Sequence, residues 1–129
     1  MTTPEVVEGK GPYSQALRVG DWLLIAGQVA WDANGEVVGA GNIEAQARQV
    51  FANIEALCTA AGGSLRDIVQ LRAFVTDIAL AGAVSALRRE LFAEPYPTAT
   101  TVAVSALVQP ELLLEVEATA IIPAGAAGG

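Results

Sequence analysis

Two carboxylates stand two residues apart in "LLLEVEATA": Glu115 and Glu117, both flanked by apolar residues. Alternation in a strand puts them on one face, with Leu113 and Ile121 on the same side. A carboxylate among apolar neighbours must find hydrogen-bond donors or hold its proton. Two readings follow. The pair marks a solvent-facing edge strand, or one of the two orders and deprotonates a water. Tyr13, directly after Gly11-Pro12, is the second candidate, because its ring sits on a turn from which it could reach a neighbouring surface. "PTATTVAV" places Ala99, Thr101 and Ala103 on one strand face and Thr100, Val102 and Val104 on the other.

The rest of the inventory excludes more than it offers. The chain has one cysteine and no histidine, so nucleophile pairs that need an imidazole are ruled out. A zinc site is not expected from carboxylates alone, and no other metal or cofactor is indicated. Cys58 falls in an apolar helical stripe and is expected to be a buried hydrophobe. A single thiol makes no internal disulfide, which points to a reducing compartment. No apolar run reaches about 18 residues, so no membrane span is expected. The first ten residues lack the basic-then-apolar order of a signal peptide, and a cytoplasmic protein is expected.

Seven basic against fourteen acidic residues give a net charge of −7. That balance repels phosphate backbones, so no nucleic-acid partner is expected. Arg88-Arg89, the one basic doublet, reads as a solvated helix face.

These groups need elements to hold them. Length 129 suits one domain, residues 1–129, with residues 1–10 as an N-terminal segment and 123–129 as a flexible tail. Strands are expected at about 15–19 and 22–30, joined at Gly20-Asp21, with a turn at Asn34-Gly35 and a further short strand near it. Ile43, Ala47, Val50, Phe51, Ile54, Leu57, Cys58 and Ala61 recur at helical spacing after a candidate cap at Asn42, and Gly62-Gly63 ends the run. "DIVQLRAFVTD", residues 67–77, alternates. Val69, Leu71, Ala73 and Val75 face one way; Ile68, Gln70, Arg72, Phe74 and Thr76 face the other. A second helix is expected at about 79–93, stopped by "EPYP", then strands at about 99–107 and 112–122.

The order β-β-(β)-α-β-α-β-β predicts an α+β two-layer sandwich: a mostly antiparallel sheet with two helices on one face. The uncovered face carries Phe74 and other apolar groups, and is expected to meet another copy of the chain.

"GPYSQALRVGDWLLIAGQ", "AQARQVFANIEALCTAAGGSLRDIVQLRAFVTD" and "LLLEVEATA" together resemble the RidA/YjgF family of reactive-intermediate deaminases. The resemblance spans residues 11–122 with the elements in the same order. It implies a chorismate-mutase-like fold and a homotrimer. It also implies small-molecule clefts between subunits and a metal-free, cofactor-free hydrolysis of enamines and imines. The family's tyrosine is matched by Tyr13 and its water-orienting glutamate by Glu115. Its serine before Gly-Gln is Ala26 here, its cysteine is Thr101, and its carboxylate-gripping arginine is Ala99. Arg72, sharing a strand face with Phe74, is a candidate replacement. A guanidinium fork makes two charged hydrogen bonds, each worth roughly 1.5–3 kcal/mol. Losing both weakens carboxylate binding by about 10²- to 10⁴-fold. The expectation is therefore a divergent hydrolase or deaminase using Glu115 and Tyr13 on an imine-like metabolite, and not a standard 2-imino acid deaminase. The alternative is a non-catalytic metabolite-binding or regulatory trimer.

Overall fold

The structure, a computed structural model, describes residues 1–124. Its elements run β1 (Ala16–Val19), β2 (Trp22–Val29), α1 (Ile43–Ala60), β3 (Ile68–Val75), α2 (Ala81–Leu91), β4 (Thr98–Ala103) and β5 (Leu114–Ile121). The five strands form one sheet in the order β1-β2-β5-β3-β4. Three of the neighbouring pairs are antiparallel, and β3–β4 is parallel. The α+β two-layer sandwich expected from the sequence is thus present. The tail expected at 123–129 lies, from residue 125 on, outside the described residues.

Local chemistry explains the first half of the chain. Gly20 has φ of 60°, a value glycine adopts without strain, and closes the β1–β2 hairpin. The Asn42 side chain accepts the Ala45 N–H at 3.1 Å and starts α1. Its far end closes through the Gly63 N–H on the Cys58 carbonyl, with Gly62 at φ 89°. α1 packs its apolar stripe (Val50, Phe51, Ile54, Leu57) on the inner faces of β2 and β5, and α2 packs beside it. Phe51 and Phe92 meet edge to face at 5.9 Å.

Four expectations need correcting. The strand near Asn34-Gly35 is reduced to one bridge, Trp31 with Val37. The second helix starts later than expected: a 3₁₀ turn over Ile78–Leu80, capped by Asp77, precedes α2. In β3 a register shift between Ile68 and Gln70 reverses the expected alternation there, so Ile68 is 4% exposed and Val69 37%. Finally, the pair Glu115/Glu117 is not on an edge. β5 lies in the middle of the sheet between β2 and β3, and the edge strands are β1 and β4.

Both helices lie against one face. The other presents Leu17, Val19, Trp22, Leu24 and Ile121 as exposed apolar side chains on adjoining strands.

Candidate functional site

Glu115 is positioned from three sides. On β5 it sits opposite Val29 of β2 and Phe74 of β3. The β2–β5 ladder breaks between Ile25 and Gln28, leaving Ala26 and Gly27 out of register. Gly27 lies beneath the Glu115 side chain, and a Cβ there would come within 2.8 Å of Glu115 Cδ.

Buried amides brace this bulge. Gln28 Nε2 donates to Gln15 Oε1 at 2.9 Å and to the Ala26 carbonyl at 3.1 Å, while Gln15 Nε2 donates to the Val7 carbonyl at 2.8 Å. Asn53 on α1 donates to the Val29 and Trp31 carbonyls. Gln46 bonds the Gly39 and Glu111 carbonyls and accepts the Leu113 N–H, which fixes the entry to β5. The polar residues at these strand ends therefore hold the ladder break and the carboxylate above it.

Among the described residues, the Glu115 carboxylate has no ion pair or side-chain donor. Burial raises its pKa above the usual carboxylate value, and the nearby Glu117 charge raises it further. Glu117 itself pairs with Arg72 across β5–β3 at 3.0 Å. Arg72 and Glu117 line a cleft of about 230 Å³ on the open face, together with Leu24, Ala26, Gln70 and Thr119.

The remaining candidates fall elsewhere. β4 runs parallel to β3 with Ala99 beside Leu71 and Thr101 beside Ala73, both on the core-facing side of β3. Ala99 and Thr101 therefore lie on the helix side of the sheet, opposite to Glu115, Phe74 and Arg72. Within one chain Arg72 does not reach the space beside Ala99, and it is already paired with Glu117. Tyr13 is 54% exposed, with its ring folded against Gly9 and Gly11. One chain thus groups Glu115, Phe74, Arg72 and Ala26, and leaves Ala99, Thr101 and Tyr13 apart from them.

One feature of the helix side was not expected. Ala99 lines a cleft of about 280 Å³ with Leu71, Ser85, Arg88, Arg89, Phe92, Tyr96 and Pro97. The basic doublet is only half a solvated face: Arg89 is exposed, whereas Arg88 is half-buried and donates to Ser85 Oγ at 3.0 Å. The available signal was its place beside the Val84–Leu87–Leu91 stripe. Cys58 is fully buried, with its thiol pushed up to about 12 by burial. Among the described residues no group of three His, Cys, Asp or Glu could hold a metal, and no helix is long and apolar enough to cross a membrane.

A two-layer α+β domain with a braced carboxylate on its open sheet face is the class these features define. A family model described as Endoribonuclease L-PSP matches residues 4–122. A RutC family protein of Pyrococcus horikoshii is 40% identical over 111 residues, covering 85% of this chain and 86% of its own length. A protein of Dermatophagoides farinae named 2-iminobutanoate/2-iminopropanoate deaminase is 30% identical, over 95% of this chain and 94% of its own. The crystal structure of RidA from an Antarctic Psychrobacter superposes with a TM-score of 0.88 at 36% identity, covering 94% of this chain and 97% of that one. The chain belongs to the RidA/YjgF family, the endoribonuclease L-PSP family of that model.

Proposed function

We propose that this protein hydrolyses an imine- or enamine-like small metabolite, with Glu115 ordering the attacking water at a cleft between two subunits of a homotrimer. The observation that carries the reading is the Glu115 carboxylate itself: half-buried, without a donor among the described residues, and set over Gly27. A carboxylate with a raised pKa is a better proton acceptor for water than an ordinary surface glutamate. The deaminase name of the Dermatophagoides relative supports the reaction class.

The step balances without a cofactor. Glu115 takes a proton from the water as its oxygen bonds to the C=N carbon, and returns that proton to the nitrogen to give a neutral carbinolamine. Glu115 then takes the carbinolamine hydroxyl proton and passes it to the same nitrogen, the C=O bond forms, and the C–N bond breaks with its electron pair on nitrogen. Ammonia and a carbonyl compound leave. Tyr13, exposed on its turn, would close the cleft from a neighbouring chain. The opposite placement of Ala99 and Glu115 favours a shared cleft, because a ligand that touches both must lie between chains. The apolar open face supplies a surface for association. The lone buried thiol suits a cytoplasmic setting.

The test is ammonia release from imines generated in situ. Glu115→Gln is expected to lower the rate by at least 10²-fold; equal rates would remove Glu115 from the reaction. The second reading, a non-catalytic metabolite-binding trimer, is favoured by alanine at position 99. Deaminase activity appearing only in Ala99→Arg would mean that the scaffold survives and the native chain has left that chemistry. Ribonuclease activity is disfavoured by the charge of −7.

A further inference from the structure

We propose that Arg88, on helix α2, holds the anionic end of a small carboxylate ligand in the cleft beside Ala99. The inference rests on the reading of this cleft as one half of the small-molecule site.

The cleft is built for such an end. Its floor is the buried Leu71 and Phe92, the exposed Ala99 stands at its strand side, and its polar groups are Ser85, Tyr96 and the two guanidiniums. At about 280 Å³ it lies at the small end of metabolite pockets. The mixture of an apolar floor and a guanidinium fork suits a short organic acid better than a bare inorganic ion.

Charge makes the same case. In a chain of net charge −7, neither Arg88 nor Arg89 has an acidic partner among the described residues. Lys10, Arg18 and Arg66 likewise have no acidic partner there, but Lys10 and Arg66 are exposed and Arg18 donates to the Ile122 and Ala61 carbonyls; only Arg48 and Arg72 are paired with carboxylates among the described residues. Arg88 is nevertheless half-buried, and burial, with Arg89 beside it, lowers its pKa from the usual arginine value. The helix C-terminus accounts for a cation in the last turn of α2. It does not account for one turned into a cleft and left without a counter-ion. An anion there would relieve both the desolvation and the repulsion between the guanidiniums. Alanine at 99 leaves the space open on the strand side, and Arg88 reaches it from the helix side. The clamp has moved by one element, so a bound acid is displaced toward α2.

The experiment is calorimetric titration of the whole protein with 2-oxobutyrate, a stable carbonyl acid, and with its neutral amide. Expected results are binding of the acid and at least 10-fold weaker binding of the amide. Arg88→Ala should weaken the acid by about 10- to 100-fold and leave the amide unchanged. Arg88→Lys should recover part of the loss, and Arg66→Ala, which removes an exposed cation outside this cleft, should change acid binding less than about 3-fold. Arg88→Gln, which keeps much of the stem, replaces Arg88→Ala if that variant does not fold. Acid binding unaffected in a folded Arg88 variant would overturn the proposal. So would equal binding of acid and amide, tighter binding of inorganic phosphate, or no acid binding at millimolar concentration. Arg88-dependent binding in a protein that releases no ammonia would leave this site standing and remove the deaminase reading.

Discussion

Glu115 rests directly over Gly27, where the β2–β5 ladder breaks and no Cβ stands between carboxylate and backbone. Gly27 does not have a positive φ, so alanine meets no backbone strain at this position. The three atoms nearest to its methyl all belong to the Glu115 side chain, which can swing aside. Gly27→Ala is therefore expected to cost less than about 1.5 kcal/mol of stability. Moving the carboxylate by about an ångström should lower ammonia release 10- to 100-fold. Thermal melts and initial rates on the same preparation check both numbers. Wild-type activity in a variant of wild-type stability would mean that the carboxylate's position does not matter.

The raised pKa of Glu115 has a defined sign in stability. The folded chain favours the protonated form, so its contribution is fully present below the unfolded carboxylate pKa and is lost as pH rises through the folded one. Glu115→Gln, which cannot ionise, should melt higher than wild type at pH 7. The gain is of order 1 kcal/mol or less for a half-buried, partly screened group. The gap should close in acid below the usual carboxylate range. A variant less stable than wild type at pH 7 would contradict the account of the carboxylate's environment.

The same shift governs rate. If the ionised Glu115 is the base, activity falls as pH drops through its raised pKa, earlier than for an ordinary glutamate. Glu117→Gln removes the like charge and frees the Arg72 guanidinium beside it. Both changes favour the ionised form, so the acid limb of the pH–rate profile should move to lower pH. An unmoved limb would show that another group sets it.

Trp22 stands half exposed in the apolar patch with Leu17, Val19, Leu24 and Ile121. The native chain should sediment as a trimer, and Trp22→Glu should shift it toward the single-chain mass, because a charge on a buried subunit face is costly. Sedimentation of wild type as one chain at micromolar concentration would contradict the assembly.

What was legible in the sequence is what local chemistry decides. Gly20 turns the hairpin, Asn42 caps α1 and Gly62-Gly63 ends it, and each signal lies within a few residues of its effect. The central place of β5 and the parallel β3–β4 pairing depend on contacts between distant segments, which no local pattern encodes. The same is true of Ala99 and Glu115 lying on opposite faces. The reversal at Ile68 and Val69 comes from one extra residue in a ladder that otherwise alternates as read. The Glu115/Glu117 pair was conspicuous because carboxylates stand among apolar flanks, and only the family resemblance singled out Glu115 of the two. The half-burial of Arg88 was not legible because an arginine doublet on a helix usually faces water, and its neighbours in the cleft, Leu71, Tyr96 and Ala99, come from distant segments.

The shared cleft is tested most directly by mixing subunits. Glu115→Gln and Arg88→Ala chains, each expected to be weakly active alone, are unfolded together in equal amounts and refolded into mixed oligomers. If each cleft takes Glu115 from one chain and the Arg88 side from its neighbour, about a quarter of the clefts regain both groups. Ammonia release should then return to about a quarter of the wild-type rate. No recovery in oligomers shown to be mixed would place both groups of the site in one chain, against the opposite-face geometry on which the account stands.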